Sequence, residues 1–300
     1  MPEIVEVKKY VDFLLSKFKN KSIINISILK GRYKTHKPFH NYYLIKKSLP
    51  LKVLDVKSKG KLIYIILEDN YYILNTLGLF GGWIYYSNKK DQYQFEEMRN
   101  YIEKDQIDNY FNNTIKHLNI ELKLSDDNSL FFYDILSFGT FKVITSQDEL
   151  NKKLNILGPD IMDLDTDYNT FLQRLRKYNE KIIGIVLMNQ KCISGIGNYL
   201  RADILWLSQI NPFRLIKDLT DDEIYIIFYN SRLLTYGDYD RDKAIILGII
   251  KKKDKIPQDY ERDFFVYDQE YDIYNNKVIK EELYEGSQKR FIYYVKKIQK

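Results

Sequence analysis

Gln190-Lys191-Cys192-Ile193-Ser194-Gly195-Ile196-Gly197-Asn198-Tyr199-Leu200-Arg201-Ala202-Asp203 is the stretch on which the reading of this chain turns. Two closely spaced glycines permit a tight turn between two helices. Asn198, just past the second glycine, stands where a helix-capping side chain is expected. Free N–H groups at such a helix start bind phosphate, and an Asn amide adds a donor. A helix–turn–helix made only for packing has the same look, so the surroundings have to decide.

Outward from this turn, helical apolar periods dominate the second half of the chain. They predict helices over 167–178, 181–189, 198–208, 220–235 and 240–252. The first half reads differently. Val7, Tyr10, Val11, Leu14, Leu15 and Phe18 form a helical stripe over 4–18. Short β-rich runs follow at 22–29, 51–56, 62–67, 71–74, 83–86, 129–133 and 140–144, separated by polar or glycine breaks as in a sandwich or barrel. A polar, helical insertion is expected over 88–112. Leu157-Gly158-Pro159-Asp160 reads as a linker, and 263–300 as a terminal hairpin around Asn275-Asn276 and Glu285-Gly286. The expected class is α+β, with segments at 1–150, 165–255 and 258–300.

At 300 residues two domains are the better expectation, and 45% hydrophobic content supports a real interior. No apolar run is long enough to span a membrane and no signal peptide is apparent, so an intracellular monomer without a membrane partner is expected, nuclear or wherever the genome is replicated. Cys192 is the only cysteine, which excludes an intrachain disulfide and a cysteine-based zinc site. His36 and His40 are four apart, but Pro38 between them argues against a metal-binding helix. The net charge of +6 is moderate and unevenly spread. Lys8, Lys9, Lys17, Lys19, Lys21, Lys30, Arg32 and Lys34 form one basic region. Lys251, Lys252, Lys253 and Lys255 form a second; Lys289, Arg290, Lys296, Lys297 and Lys300 form a third. Separated basic patches suit a phosphate backbone, although a solvated lysine-rich surface has the same composition.

The chain begins Met1-Pro2-Glu3. Removal of Met1 exposes a secondary amine at Pro2, able to form a Schiff base with an aldehyde or an opened sugar. An α-amino group titrates near pH ~8, so a neutral fraction exists at physiological pH. Glu3 is placed to move a proton at the reacting group.

Together these segments resemble the formamidopyrimidine-DNA glycosylase/endonuclease VIII family. The resemblance runs through Met1-Pro2-Glu3-Ile4-Val5-Glu6-Val7, Ser58-Lys59-Gly60-Lys61, Leu77-Gly78-Leu79-Phe80-Gly81, Asp134-Ile135-Leu136-Ser137-Phe138-Gly139, Leu157-Gly158-Pro159, the turn at 195–203, and Asn211-Pro212. It covers nearly the whole chain in the family's order. The Asn198–Asp203 run is most similar to the endonuclease VIII-like branch.

The resemblance implies an N-terminal helix with a β-sandwich, a helix–two-turn–helix domain and a terminal β-hairpin finger. It implies a bifunctional DNA glycosylase and abasic-site lyase of base excision repair, with damaged DNA, duplex or single-stranded, as partner and no cofactor. Pro2 is then the nucleophile, Glu3 the acid on the sugar ring oxygen, and Lys61 a phosphate holder. Asn198, Arg290 and Lys191 contact the DNA backbone, Leu79 and Phe138 fill the void left by the everted base, and Glu6 is a further pocket acid.

Departures from the pattern shape the rest. The family's usual zinc-finger cysteines correspond to Tyr274, Lys277, Val295 and Ile298, none of which makes a thiolate site. Packing by Tyr293, Val295 and Ile298 is the expected substitute for metal. Leu136 and Ser137 replace a common Arg pair, and Thr76 a common His. Oxidised pyrimidines and ring-opened purines are the favoured lesions. An 8-oxoguanine enzyme, an abasic-site lyase, and a DNA-binding protein without catalysis stay open, and an RNA-binding module shares only the basic patches.

Overall fold

The computed structural model describes residues 2–88, 95–97, 114–254, 264–285 and 288–300. The insertion expected over 88–112 lies almost wholly outside these residues, as does Gly286. The chain divides into two compact units, Pro2 with Glu6–Leu154, and Glu3–Val5 with Asn155–Lys300. Helix α1 (Ile4–Phe18) therefore contributes to both. Val7, Tyr10, Leu14 and Phe18 enter the first core, and Ile4 and Val5 enter the second.

In the first unit, alternation of apolar and polar residues sets which face each strand buries. The chain runs through β1 (Ser22–Ile28), two short helices α2 (Arg32–Thr35) and α3 (Tyr42–Ser48), then β2 (Leu51–Lys59), β3 (Leu62–Leu67), β4 (Tyr72–Thr76) and β5 (Gly81–Tyr86). It continues with β6 (Phe95–Glu97), β7 (Leu118–Leu124), β8 (Ser129–Asp134), β9 (Thr140–Ile144) and helix α4 (Gln147–Ile156). The strands pair antiparallel in the order β6-β5-β8-β7-β1-β2-β3-β4-β9. Only Ser22↔Lys52 and Ile23↔Leu51 join β1 to β2, so the sheet folds over at this seam. Ile26, Ile120, Leu122, Phe132 and Trp83 on one side share a core with Val56, Ile63, Ile65, Val143 and Phe141 on the other, which makes a sandwich. The outer faces of β3 and β4 pack under Leu150 and Leu154 of α4.

The second unit holds α5 (Tyr168–Arg176), the single turn α6 (Ile183–Val186), α7 (Asn198–Leu207) and α8 (Asp221–Ile246). Asp167 caps α5, and Thr220 with Glu223 forms a capping box on α8. The hairpin β10 (Ile279–Glu285) and β11 (Gln288–Tyr294) closes the chain.

Three expectations change here. The helices predicted over 220–235 and 240–252 form one element bent at Asp240, whose φ of −160° leaves the helical region. The helix predicted over 181–189 shrinks to one turn. Gly184 there lies so close to the Pro212 carbonyl that a Cβ would sit 2.8 Å from it, so tertiary packing overrides the apolar period. Strand β7 and helix α4 were not anticipated. No helix among the described residues is long and apolar enough to cross a membrane.

Candidate functional site

Glu3 is fully buried in the second unit, at the start of α7. Its Oε2 accepts the Gly197 N–H at 2.6 Å and the Leu200 N–H at 3.4 Å, and its Oε1 accepts the Tyr199 N–H at 3.0 Å. These are donors that the first turn of a helix leaves unmatched. A carboxylate at that end is favoured by the helix dipole and by charge assistance. Glu3 thus caps α7 from 194 residues away in sequence. The expectation that Asn198 caps this helix is corrected: Gly197 occupies the cap position and no side chain of the turn takes that role. Both turn glycines make room for the N-terminal segment. A Cβ on Gly197 would lie 2.3 Å from the Glu3 carboxyl carbon, and one on Gly195, at φ +113°, 2.4 Å from Ile4 Cδ1. Gln190 braces the turn by accepting the Gly195 N–H at 3.0 Å and donating to the Ile196 carbonyl at 2.7 Å.

Asn198 is half-buried, and its Oδ1 accepts from the Arg201 guanidinium. That leaves its Nδ2 as the donor end of the amide. Arg201 is 1% exposed. It also donates to the Gly184 carbonyl at 2.9 Å and to the Phe291 carbonyl at 2.7 Å. Burial pushes its pKa down to about 10, which still leaves it a cation at neutral pH. Arg290 precedes Phe291 in β11, opposite Leu283, with an exposed side chain. Lys191 is exposed on the turn. Glu3, Asn198 and Arg201 therefore share one helix start, and Arg201 reaches the strand that carries Arg290. Sequence reasoning assigned Arg201 no role. The signal was a basic residue in a largely apolar helix, three residues after Asn198.

Asp203, two residues on, is buried as well. Its Oδ1 accepts the N–H groups of Val266 at 3.0 Å and Tyr267 at 3.3 Å, while its Oδ2 has no hydrogen-bond partner among the described residues. Burial raises its pKa to about 7. An unfolded Asp titrates near ~3.9, so between these values the folded state holds a proton that the unfolded state does not. The stabilisation is complete below pH ~4 and is lost as pH rises through about 7. Thermal melts are expected to show a Tm lower by roughly 5 °C or more at pH 8 than at pH 5, with Asp203→Asn removing most of that difference. An unchanged slope in the variant would assign it to another group.

The four positions that correspond to zinc ligands are otherwise engaged. Val295 is in the core and Ile298 packs against it; Tyr274 stacks on Trp206 at 5.8 Å and Lys277 pairs with Glu270 at 2.8 Å. Cys192 is buried in the turn, with its thiol pushed up to about 12 by burial. Elemental analysis of the purified protein is expected to give no stoichiometric zinc, and chelator is expected to leave activity intact. One tightly held zinc per chain would overturn this.

In the first unit, Pro2 is buried and Glu6 half-buried in the first turn of α1. Lys61 sits on the two-residue turn between β2 and β3, where Gly60 takes φ +53°. Two loops distant in sequence, 77–80 and 135–139, meet in this unit. A Cβ on Gly78, at φ +68°, would come within 2.5 Å of the Gly139 nitrogen. Leu79 is half-buried, whereas Phe138 is 61% exposed, with Phe80, Ile135 and Leu136 exposed as well. Phe138 is thus not a core residue. Its loop is held from below: Asp134 Oδ2 accepts the Gly139 N–H at 2.7 Å, and Arg32 donates to the Gly139 carbonyl at 2.6 Å. Burial raises the Asp134 pKa. Arg32 and Asp134 were not assigned this work from sequence.

Residues 1–141 match the sequence model of the formamidopyrimidine-DNA glycosylase N-terminal domain, and residues 157–234 that of the formamidopyrimidine-DNA glycosylase H2TH domain. The hairpin lies beyond both. The formamidopyrimidine-DNA glycosylase of Wolbachia pipientis is 31% identical over 220 residues, covering 73% of this chain and 71% of that protein. The enzyme of the same name from Mycoplasma genitalium is 29% identical over 233 residues, 77% of this chain and 72% of its own. The fold matches that of Lactococcus lactis formamidopyrimidine-DNA glycosylase bound non-covalently to DNA containing an abasic site, with a TM-score of 0.73, 21% identity and 99% of each chain covered. With both domain models matched in order, and a relative above thirty per cent identity along most of its length, the chain belongs to the formamidopyrimidine-DNA glycosylase family of base-excision DNA repair enzymes.

Proposed function

We propose that this protein removes oxidised bases from DNA, pyrimidines and ring-opened purines above others, and then nicks the strand through a Schiff base on Pro2. The observation that carries the reading is the buried Glu3 carboxylate, fixed by three N–H donors at the start of α7 and joined by a peptide bond to Pro2.

The processed Pro2 amine attacks C1′ of the damaged nucleotide, and the base leaves with the electron pair of the glycosidic bond. The Glu3 carboxylate takes the proton that the amine gives up and delivers it to the ring oxygen, so the sugar opens and nitrogen and C1′ become an iminium, while the departing base picks up a proton from water. The iminium is an electron sink. It acidifies the C2′ hydrogen, and loss of that proton expels the 3′ phosphate; a second elimination expels the 5′ phosphate. Lys61 takes a phosphate beside the lesion. Asn198, Arg290 and Lys191 take backbone phosphates, and Phe138 with Leu79 fills the gap in the stack. The exposure of Phe138 on a braced loop supports that role. The Asn198–Asp203 run favours the endonuclease VIII-like branch.

The test is incubation of the purified protein with duplexes carrying defined lesions, following base release and strand scission separately. Release of thymine glycol and formamidopyrimidines ahead of 8-oxoguanine is expected, with both phosphate ends left on the nicked products. Scission of abasic DNA with no base release would reduce the protein to a lyase. Binding with neither reaction would make it a non-catalytic DNA-binding protein.

A further inference from the structure

Arg201 does more than fill the core. Desolvating a guanidinium is costly, and Arg201 is held as a cation by its hydrogen bonds and by the Glu3 carboxylate at the same helix start. Here the bonds go to three different elements: the Gly184 carbonyl in α6, the Asn198 amide oxygen at the start of α7, and the Phe291 carbonyl in β11. Its Nε is buried with no hydrogen-bond partner among the described residues. An apolar side chain would serve a purely structural contact at lower cost. What the guanidinium supplies is direction. It engages the oxygen end of the Asn198 amide, and it holds the strand at Phe291, one residue from Arg290.

We propose that Arg201 is a positioning residue that sets the register between the turn carrying Asn198 and the strand carrying Arg290, so that the two bind the DNA backbone as one clamp. The inference rests on the reading of Asn198 and Arg290 as phosphate contacts. It also gives a physical reason why a metal-free hairpin holds its place: a buried cation ties β11 to α7. The neighbouring Asp203 ties the 266–267 segment to the same helix, through the Val266 and Tyr267 N–H groups.

The experiment is a double-mutant cycle on the full-length protein, with a labelled duplex bearing an unreactive tetrahydrofuran abasic analogue. Affinity is measured over a range of salt for wild type, Arg201→Met, Arg290→Ala and the double variant. Each single change is expected to weaken binding by about tenfold, the size of a lost charge-assisted contact. Each should make the slope of log affinity against log salt shallower by about one unit. The double variant should be within about threefold of the weaker single, because Arg290 cannot contribute once its strand is displaced. The loss should appear in affinity more than in the lyase rate at saturating protein. Effects that multiply in the double variant, or Arg201→Met binding like wild type, overturn the proposal. Should Arg201→Met lose its cooperative melt, Arg201→Lys keeps the buried cation but cannot span three acceptors. The same non-additivity is expected from it with a smaller single effect, and multiplicative effects there overturn the proposal equally. Wild type that binds abasic and intact duplex alike would instead strike at the proposed function.

Discussion

Borohydride is expected to trap the protein covalently on DNA containing an abasic site, and the adduct is expected to vanish when Met1 is retained or an N-terminal tag is added. The effect should be complete rather than partial. Extending the chain before Pro2 turns its amine into a tertiary amide, whose lone pair is delocalised into the carbonyl and is no longer nucleophilic. The side chains of Glu3 and Lys61 remain in place in the blocked protein, so lost trapping isolates the nitrogen. Peptide mapping of the wild-type adduct should place it at Pro2. Equal trapping by the blocked protein moves the nucleophile to a lysine.

Gly197→Ala and Glu3→Gln are expected to fail in the same way for different reasons. In Glu3→Gln one carboxylate oxygen becomes an amide nitrogen, which meets helix N–H groups with donors of its own and carries no acid proton. A positioned general acid contributes on the order of 10²–10⁴-fold, so base excision should fall by about that factor. Gly197→Ala leaves the carboxylate chemically intact. Gly197 has φ −125°, which any residue adopts, so the cost is steric: the new methyl would stand 2.3 Å from the Glu3 carboxyl carbon. Displacing that carboxylate strips three hydrogen bonds from the start of α7, and a loss of roughly 100-fold or more in excision is expected. Both variants should process a preformed abasic site better than a damaged base. Gly197→Ala with wild-type excision would mean that Glu3 can do its work away from the helix start.

What the sequence disclosed depended on whether the signal was local. The alternation in β3, with Ile63, Ile65 and Leu67 buried between less buried neighbours, could be read directly. So could the turn at Gly195 and Gly197. Strand β7 was equally readable, since Leu118-Asn119-Ile120-Glu121-Leu122-Lys123-Leu124 alternates without a fault, but it follows a polar stretch that drew the reading toward helix and loop. Helix α4 carries too few apolar residues, chiefly Leu150 and Leu154, to announce a period. The site was legible as residue types and not as partnerships. Glu3 was recognised as an acid, but its donors lie 194 to 197 residues away. Arg201 joins Asn198, three residues distant, to Phe291, 90 residues distant. Asn198 looked like a cap because local rules know nothing of a carboxylate arriving from the chain start.

That arrival has a consequence for biosynthesis. During synthesis Glu3 finds its binding place only when residues 195–200 have followed it out of the ribosome, and α7 lacks its cap until then. Contacts of such long range form late and slowly in folding. A nascent chain holding the whole β-sandwich would carry Pro2 and Lys61 yet have no seat for Glu3. Expressed fragments ending near residue 154 are therefore expected to be inert toward damaged bases even if they fold. On the proposed function, base excision therefore waits on chain order: Glu3 has no seat until the half that carries residues 195–200 has been made.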